Sequence, residues 1–235
     1  AFGANALDAN TTATGGAAFG KGALTSNTTG AENTALGSTT LAFNTTGAYN
    51  TAVGNQALKA NTTATNNTAV GYKSLFTNTT GTRNTAVGYN SLNANTTASD
   101  NNAFGESSLS NNTTGTDNCA FGRLSLSANT TGVSNCAFGH ATLDAGNNSY
   151  NSAFGSEALT NNTESNNSAF GFRALKENTT GTNNAAFGTN ALRDNTTASN
   201  NTAFGKDAMV ANSTGDQNCA FGQGSLDSNT NGRRN

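Results

Sequence analysis

The sequence predicts an all-β fold, a parallel β-solenoid of about fourteen coils with a 17-residue repeat. Three observations predict it. A triplet of Ala, a large apolar residue and Gly recurs through the chain, two columns of large apolar residues keep fixed places in each unit, and proline is absent. The triplet glycines lie 17 residues apart except at two 16-residue intervals: Gly3, Gly20, Gly37, Gly54, Gly71, Gly88, Gly105, Gly122, Gly139, Gly155, Gly171, Gly188, Gly205 and Gly222. A short fixed period of this kind is typical of stacked repeats.

Two columns of one unit are candidates for the core. The unit at positions 84–100 reads NTAVGYNSLNANTTASD, and the residue before its glycine is large and apolar in every copy. The residue four after the glycine is Leu in thirteen copies and Met209 in the other. We therefore predict a core built from Val87, Phe104, Phe121, Phe138, Leu92, Leu109 and Leu126.

The local residue types favour strands over helices. In N-T-A-V-G the valine and threonine would share one face of a strand and the alanine would take the other. Asn, Thr and Gly are weak helix formers, and apolar residues do not recur at spacings of three and four. We expect two short strands per unit, with every backbone N–H available for pairing because proline is absent.

The N-T-T-G-x-x segment between units has the composition of a loop. Both 16-residue units lose their residue in this segment, at positions 144–150 and 161–166. Deletions are tolerated best where packing is loosest. Asn also recurs at the start of most units and before the Thr pair, and in stacked coils such columns are expected to form amide ladders.

The alanine column is the candidate interface. If the large apolar column points inward, the alanines form a flat outward stripe, and such a stripe indicates self-association, here predicted as a homotrimer. The predicted interface comprises Ala52, Ala69, Ala86, Ala103, Ala120 and Ala137. The alternative is that the alanines pack inside the coil.

The chain has no change of composition along its length, so residues 1–235 are predicted to be a single repeat domain. Neither end has an atypical capping repeat, and stacked repeats need caps or continuation. We therefore expect a fragment of a longer fibre. Charged residues make up 10% of the chain and the net charge is −2, which does not favour nucleic acid. No apolar run reaches the roughly 18 residues needed for membrane insertion in this segment.

The sequence predicts no catalytic, cofactor or metal site, and so a protein that is not an enzyme. His140 is the only histidine and occupies a variable column, which predicts a surface position. Cys119, Cys136 and Cys219 replace Thr or Ser and are predicted to be plain core substitutions rather than a disulfide framework.

Two minor alternatives remain open. Asp100 and Asp117 occupy equivalent places in successive loops, so weak calcium binding is conceivable without calcium-loop spacing. The N-T-T segments, for example at Asn61, Asn95 and Asn212, are formal glycosylation acceptors. The simpler interpretation is that these Asn and Thr residues belong to loops and ladders.

The N-x-A-(V/F)-G-x-x-(A/S)-L pattern resembles the YadA-like head repeats of trimeric autotransporter adhesins and related repeats of tail-fibre proteins. The resemblance covers the whole chain. It implies a left-handed parallel β-roll, three chains side by side, and display on a cell or virion surface outside the cell. It also implies attachment to a host-surface receptor or glycan. The units here are longer than those of the family, and no neck, stalk or membrane barrel is present.

Two functions follow. The first is a non-enzymatic structural or adhesive fibre segment, in which the number of repeats sets the length. The second is ice binding by a regular Asn and Thr array, because in a locally extended N-T-T segment the Asn and the second Thr would share a face and repeat at the strand spacing.

Overall fold

A computed structural model describes the whole chain, from Ala1 to Asn235. The chain divides into two compact units, Ala1–Asp117 and Asn118–Asn235, each described by itself. No helix is present, and every strand has three residues. The first unit contains β1 (Ala17–Phe19), β2 (Thr34–Leu36), β3 (Thr51–Val53), β4 (Thr68–Val70), β5 (Thr85–Val87) and β6 (Asn102–Phe104). The second contains β7 (Cys119–Phe121), β8 (Cys136–Phe138), β9 (Ser152–Phe154), β10 (Ser168–Phe170), β11 (Ala185–Phe187), β12 (Thr202–Phe204) and β13 (Cys219–Phe221).

Within each unit, every strand pairs in parallel with the strand of the next coil, and equivalent residues are register partners. Ala52 lies opposite Ala69 in the first unit, and Ala137 opposite Ala153 in the second. This register confirms the parallel β-solenoid and its 17-residue repeat. Each coil holds one strand, however, so the expectation of two strands per unit is wrong.

The segment after the strand turns by means of left-handed residues. Asn90 and Leu92 have φ angles of 53° and 51°, a region that ordinary side chains enter rarely. Asn90 donates its N–H to the Tyr72 carbonyl of the preceding coil (3.0 Å), and Leu92 donates to the Ser108 carbonyl of the following coil (2.9 Å). Hydrogen bonding between coils therefore continues around the turn and offsets the backbone strain, without a second strand.

The interior of each coil is narrow and holds one large side chain. The largest fully buried side chains come one from each of the twelve inner coils: Leu24, Leu41, Leu58, Leu75, Leu92, Leu109, Leu126, Leu143, Leu159, Leu175, Leu192 and Met209. Small residues fill the space around each of them, as Ala86, Ser91 and Ala98 do around Leu92, and all three are buried. The leucine half of the predicted core is confirmed.

Two columns of buried asparagine line the rest of the interior, and the predicted amide ladders are confirmed. In the first ladder, the N–H of Asn67 donates to Oδ1 of Asn50 (3.0 Å), and Nδ2 of Asn67 donates to the Gly81 carbonyl (2.9 Å). In the second, Nδ2 of Asn61 donates to Oδ1 of Asn44 (2.7 Å). These amides have no exposed surface, and their partners remove most of the cost of burying them.

The triplet glycine ends the strand where neighbouring coils approach most closely. Gly54 has a φ of 127°, and a Cβ placed on it would lie 2.6 Å from the carbonyl oxygen of Gly71. Both the conformation and the missing space exclude any side chain, which explains why glycine fills this column throughout the chain.

Candidate functional site

The alanine column lies inside the coils, so the predicted alanine interface is wrong. All six residues named for it have no exposed surface: Ala52, Ala69, Ala86, Ala103, Ala120 and Ala137. The strand alternates as expected, but its small side chains face the interior, where each coil has room for a leucine and little else. A buried column has no surface to offer another chain.

The large apolar column consequently faces outward, and its assignment to the core is wrong. Val87, Phe104, Phe121 and Phe138 are each half-buried on the outer face of a strand. The narrow interior is the physical reason, since a Phe ring in every coil would not fit beside a leucine.

Sequence variation carried a signal for this arrangement. The outward column holds Leu36, Val53 or Phe104 with no compensating change elsewhere in the unit, whereas the alanine column never varies. A close-packed interior tolerates changes of volume poorly. The invariant column was therefore the one to place inside.

In the second unit the outward column forms a continuous ladder of rings, which we call the phenylalanine stripe. Its members are Phe121, Phe138, Phe154, Phe170, Phe187, Phe204 and Phe221. Successive rings stack with centroids 4.6 to 5.7 Å apart and interplanar angles of 4 to 27°. Stacking covers the ring faces, while the ring edges point to solvent. Phe204 is 48% exposed and Phe221 79%.

The cysteines flank the phenylalanine stripe, so the prediction that they are core residues is wrong. Cys119 and Cys136 are register partners on β7 and β8, both half-buried, and Cys219 is exposed on β13. All three are free thiols. Partial burial, with a smaller effect from Cys136, raises the pKa of the Cys119 thiol to about 11, so it is protonated and unreactive near neutral pH.

The first unit carries an outward group of cations and aromatic rings that the sequence analysis did not single out. Nζ of Lys59 lies 5.7 Å from the ring centroids of both Phe43 and Phe76. Nζ of Lys73 lies 5.3 Å from the Tyr72 ring and 5.4 Å from the Phe76 ring. These are cation–π distances. Charge distribution would have revealed the group, because residues 33–99 contain no Asp or Glu.

The N-T-T segments offer less surface than the sequence suggested. The Asn residues of the inner coils, for example Asn61, Asn95 and Asn212, have no exposed surface. The hydroxyl of the first Thr is also engaged, as when Thr62 donates to the Thr79 carbonyl (3.1 Å). The second Thr, such as Thr63, is exposed. The Asn and Thr array considered for ice binding is thus one outward column of threonine, and glycosylation of these Asn residues would require the coil to open.

Several other charged residues are paired on the surface. His140 is exposed, as predicted, and its Nε2 lies 3.1 Å from Nη1 of Arg123. Arg83 binds the Asp100 carboxylate through two hydrogen bonds of 2.7 Å. Hydrogen bonding to Arg83 holds the pKa of Asp100 below its usual value. Asp100 is therefore committed to a cation from its own chain rather than to calcium.

Comparison with known proteins finds no matching family model, no matching curated protein and no matching solved structure. The structure contains no helical segment with the length and apolar character that crossing a bilayer requires. The surfaces that bear on function are the phenylalanine stripe, the lysine and aromatic group of the first unit, and the outward column of threonine.

Proposed function

We propose that this chain is a non-enzymatic structural and adhesive segment of a fibre displayed outside the cell, on a cell or virion surface, and that copies associate through the phenylalanine stripe. The observation that carries the proposal is the stripe itself. Seven phenylalanines in successive coils face outward in one line, half-buried along most of the stack and exposed at Phe204 and Phe221. Contiguous apolar patches of this extent usually mark a protein interface.

The stripe supplies a driving force for association that the alanine column cannot. Aromatic rings bury large apolar areas, and each 100 Å² removed from water contributes roughly 2.5 kcal/mol. The gain repeats once per coil, whereas the loss of rotational and translational freedom is incurred once for each chain added. Association along a ladder therefore strengthens with the number of coils.

A closed trimer is the stoichiometry we propose. The support is the resemblance of the repeat to adhesin heads, together with the presence of one apolar ladder on the sheet face of the second unit. When three chains each direct one such face toward a common axis, every apolar face is buried in a closed ring. The family and the display on a surface are part of the same proposal.

Sedimentation equilibrium tests the association. We expect the intact chain to have three times the chain mass of 23.6 kDa. The double variant Phe154→Ser and Phe187→Ser is expected to sediment at a lower mass while keeping its β circular dichroism. The matched control is Phe172→Ser, an exposed aromatic of the same unit that lies outside the stripe. A monomeric parent chain, or an equal effect of both changes, would contradict the proposal.

Ice binding is the second candidate, because the exposed threonines Thr63, Thr80 and Thr97 recur once per coil. This array is one residue wide, since the neighbouring Asn is buried. We expect no thermal hysteresis from micromolar protein. Hysteresis that is abolished by Thr80→Val and retained in the stripe variant would favour ice binding over the fibre proposal.

A further inference from the structure

The surface of the first unit carries a group that self-association through the second unit leaves unexplained. We call it the lysine–aromatic patch: Phe43, Lys59, Tyr72, Lys73, Phe76 and Tyr89. Tyr72, Tyr89 and Phe43 are 42%, 53% and 53% exposed. The patch therefore combines aromatic rings with cations on an open surface.

Charge is distributed unevenly around the patch. All thirteen acidic residues of the chain lie outside residues 33–99, although the whole chain has a net charge of −2. The stretch contains three cations, Lys59, Lys73 and Arg83, and Arg83 is paired with Asp100. The two lysines have aromatic rings as their neighbours and no carboxylate in an ion pair. Their positive charge is thus uncompensated.

The rings hold the two ammonium groups in place without neutralising them. Phe76 contacts both lysines, which fixes their positions relative to each other. Cation–π contact leaves the N–H groups free to bind an anion at the outer side. Less side-chain freedom remains to be lost when a ligand arrives, which favours binding.

We propose that the lysine–aromatic patch binds an acidic polysaccharide, a chain of sugars bearing sulfate or carboxylate groups. The ammonium groups pair with the acidic groups, and the apolar ring edges make van der Waals contact with C–H groups of the sugars. The proposal names the class of ligand for the adhesive part of the proposed function. It rests on that function only for the place where the protein meets the ligand, outside the cell. The binding itself does not depend on the phenylalanine stripe.

Ring geometry favours a polysaccharide over single-stranded nucleic acid. Nucleic acid binding of this type uses exposed ring faces on which bases stack. In the patch few ring faces are open, because Tyr72 and Tyr89 stack on each other at 5.5 Å and the lysines lie over Tyr72 and Phe76. The edges and the charges are what a ligand meets.

Binding to immobilised heparin and to polygalacturonate tests the proposal, with the intact chain at low and at physiological salt. We expect binding that weakens with salt, and no binding to neutral dextran. The double variant Lys59→Gln and Lys73→Gln is expected to weaken binding by roughly two- to thirtyfold, the range for two exposed ion pairs. The control Lys206→Gln removes a lysine from the column of Tyr72, but this lysine is already paired with Asp207 (3.5 Å), so binding should change little.

A third variant separates placement from charge. Phe76→Leu keeps every charge and removes the ring that contacts both lysines, so we expect weaker binding with an unchanged net charge. The proposal is overturned if the lysine variant binds heparin as the parent does, or if Lys206→Gln weakens binding equally. It is also overturned if an oligothymidylate competes as well as heparin. The double variant Phe154→Ser and Phe187→Ser keeps the lysine–aromatic patch, so each of its chains should bind heparin as a chain of the parent does. The two proposals can therefore fail independently.

Discussion

Removing one asparagine from the first ladder should destabilise the chain by about 2 to 4 kcal/mol. In Asn67→Ala, the N–H of Asn84 loses its acceptor, Oδ1 of Asn67 at 2.9 Å, and is left buried without a partner. The other partners keep a bond, because the Gly81 carbonyl still accepts from Asn78. The expected loss in the free energy of unfolding thus has two parts. One donor left without an acceptor costs about 1 to 3 kcal/mol, and the cavity left by the amide adds to this cost.

Asn67→Asp sharpens the test, since it keeps the shape and the acceptor but replaces the donor with an oxygen. That oxygen would face the Gly81 carbonyl in a site with no exposed surface. Burial raises the pKa of the new carboxyl above its unfolded value of about 3.9, so the folded state binds the extra proton. Stability should therefore be lower than in Asn67→Ala at pH 7 and should increase as the pH falls toward about 4.

Urea unfolding followed by circular dichroism measures both variants, at one protein concentration because association shifts the midpoint. Asn55→Ala is the matched control, an exposed asparagine whose loss should cost within about 0.5 kcal/mol. If Asn67→Ala unfolds at the urea concentration of the parent, or Asn55→Ala loses as much, the ladder does not contribute as argued.

Three further predictions concern other columns. Leu92→Ala should lose about 2 to 5 kcal/mol in the same urea assay, because it empties the one large side chain of its coil, and a loss below 1 kcal/mol would contradict the packing described. Gly54→Ala should destabilise far more than Gly22→Asn. A Cβ on Gly22 would meet only side-chain atoms, Oγ1 of Thr25 at 3.3 Å and Cγ2 of Thr39 at 3.6 Å, and other coils place ordinary residues at the same left-handed position. Equal unfolding midpoints would show that the approach of coils at Gly54 is looser than described. In thiol titration at pH 8, the exposed Cys219 should react first, and the rate at Cys119 should increase about tenfold per pH unit toward its pKa of about 11. Equal rates at both thiols would contradict this.

The repeat itself made the solenoid, the leucine core and the asparagine ladders predictable. Each follows from a column that scarcely varies, such as Leu92 and its equivalents, and stacking in register brings like residues together. The strand of each coil was also predictable from its alternation of small and large side chains.

The faces of that strand were not assigned correctly. Alternation places Ala86 and Val87 on opposite sides but does not say which side is inside. The usual preference for burying the larger residue fails here because the interior is only as wide as one leucine and its small neighbours. The conformation around Leu92 was also missed. Leucine has no propensity for a φ of 51°, and its cost is offset because its N–H donates to the Ser108 carbonyl of the following coil.

The in-register pairing of equivalent residues has a consequence for folding. A coil that docked one repeat out of place would meet the same glycine, leucine and asparagine partners as in the native arrangement, so few contacts would report the error. Only the few places where the pattern is broken distinguish the native pairing from such a slip. These are chiefly the two shortened coils and the change from valine to phenylalanine on the outer face. Chains made of uniform coils should therefore refold slowly and heterogeneously, and these irregularities act as the marks that align the array.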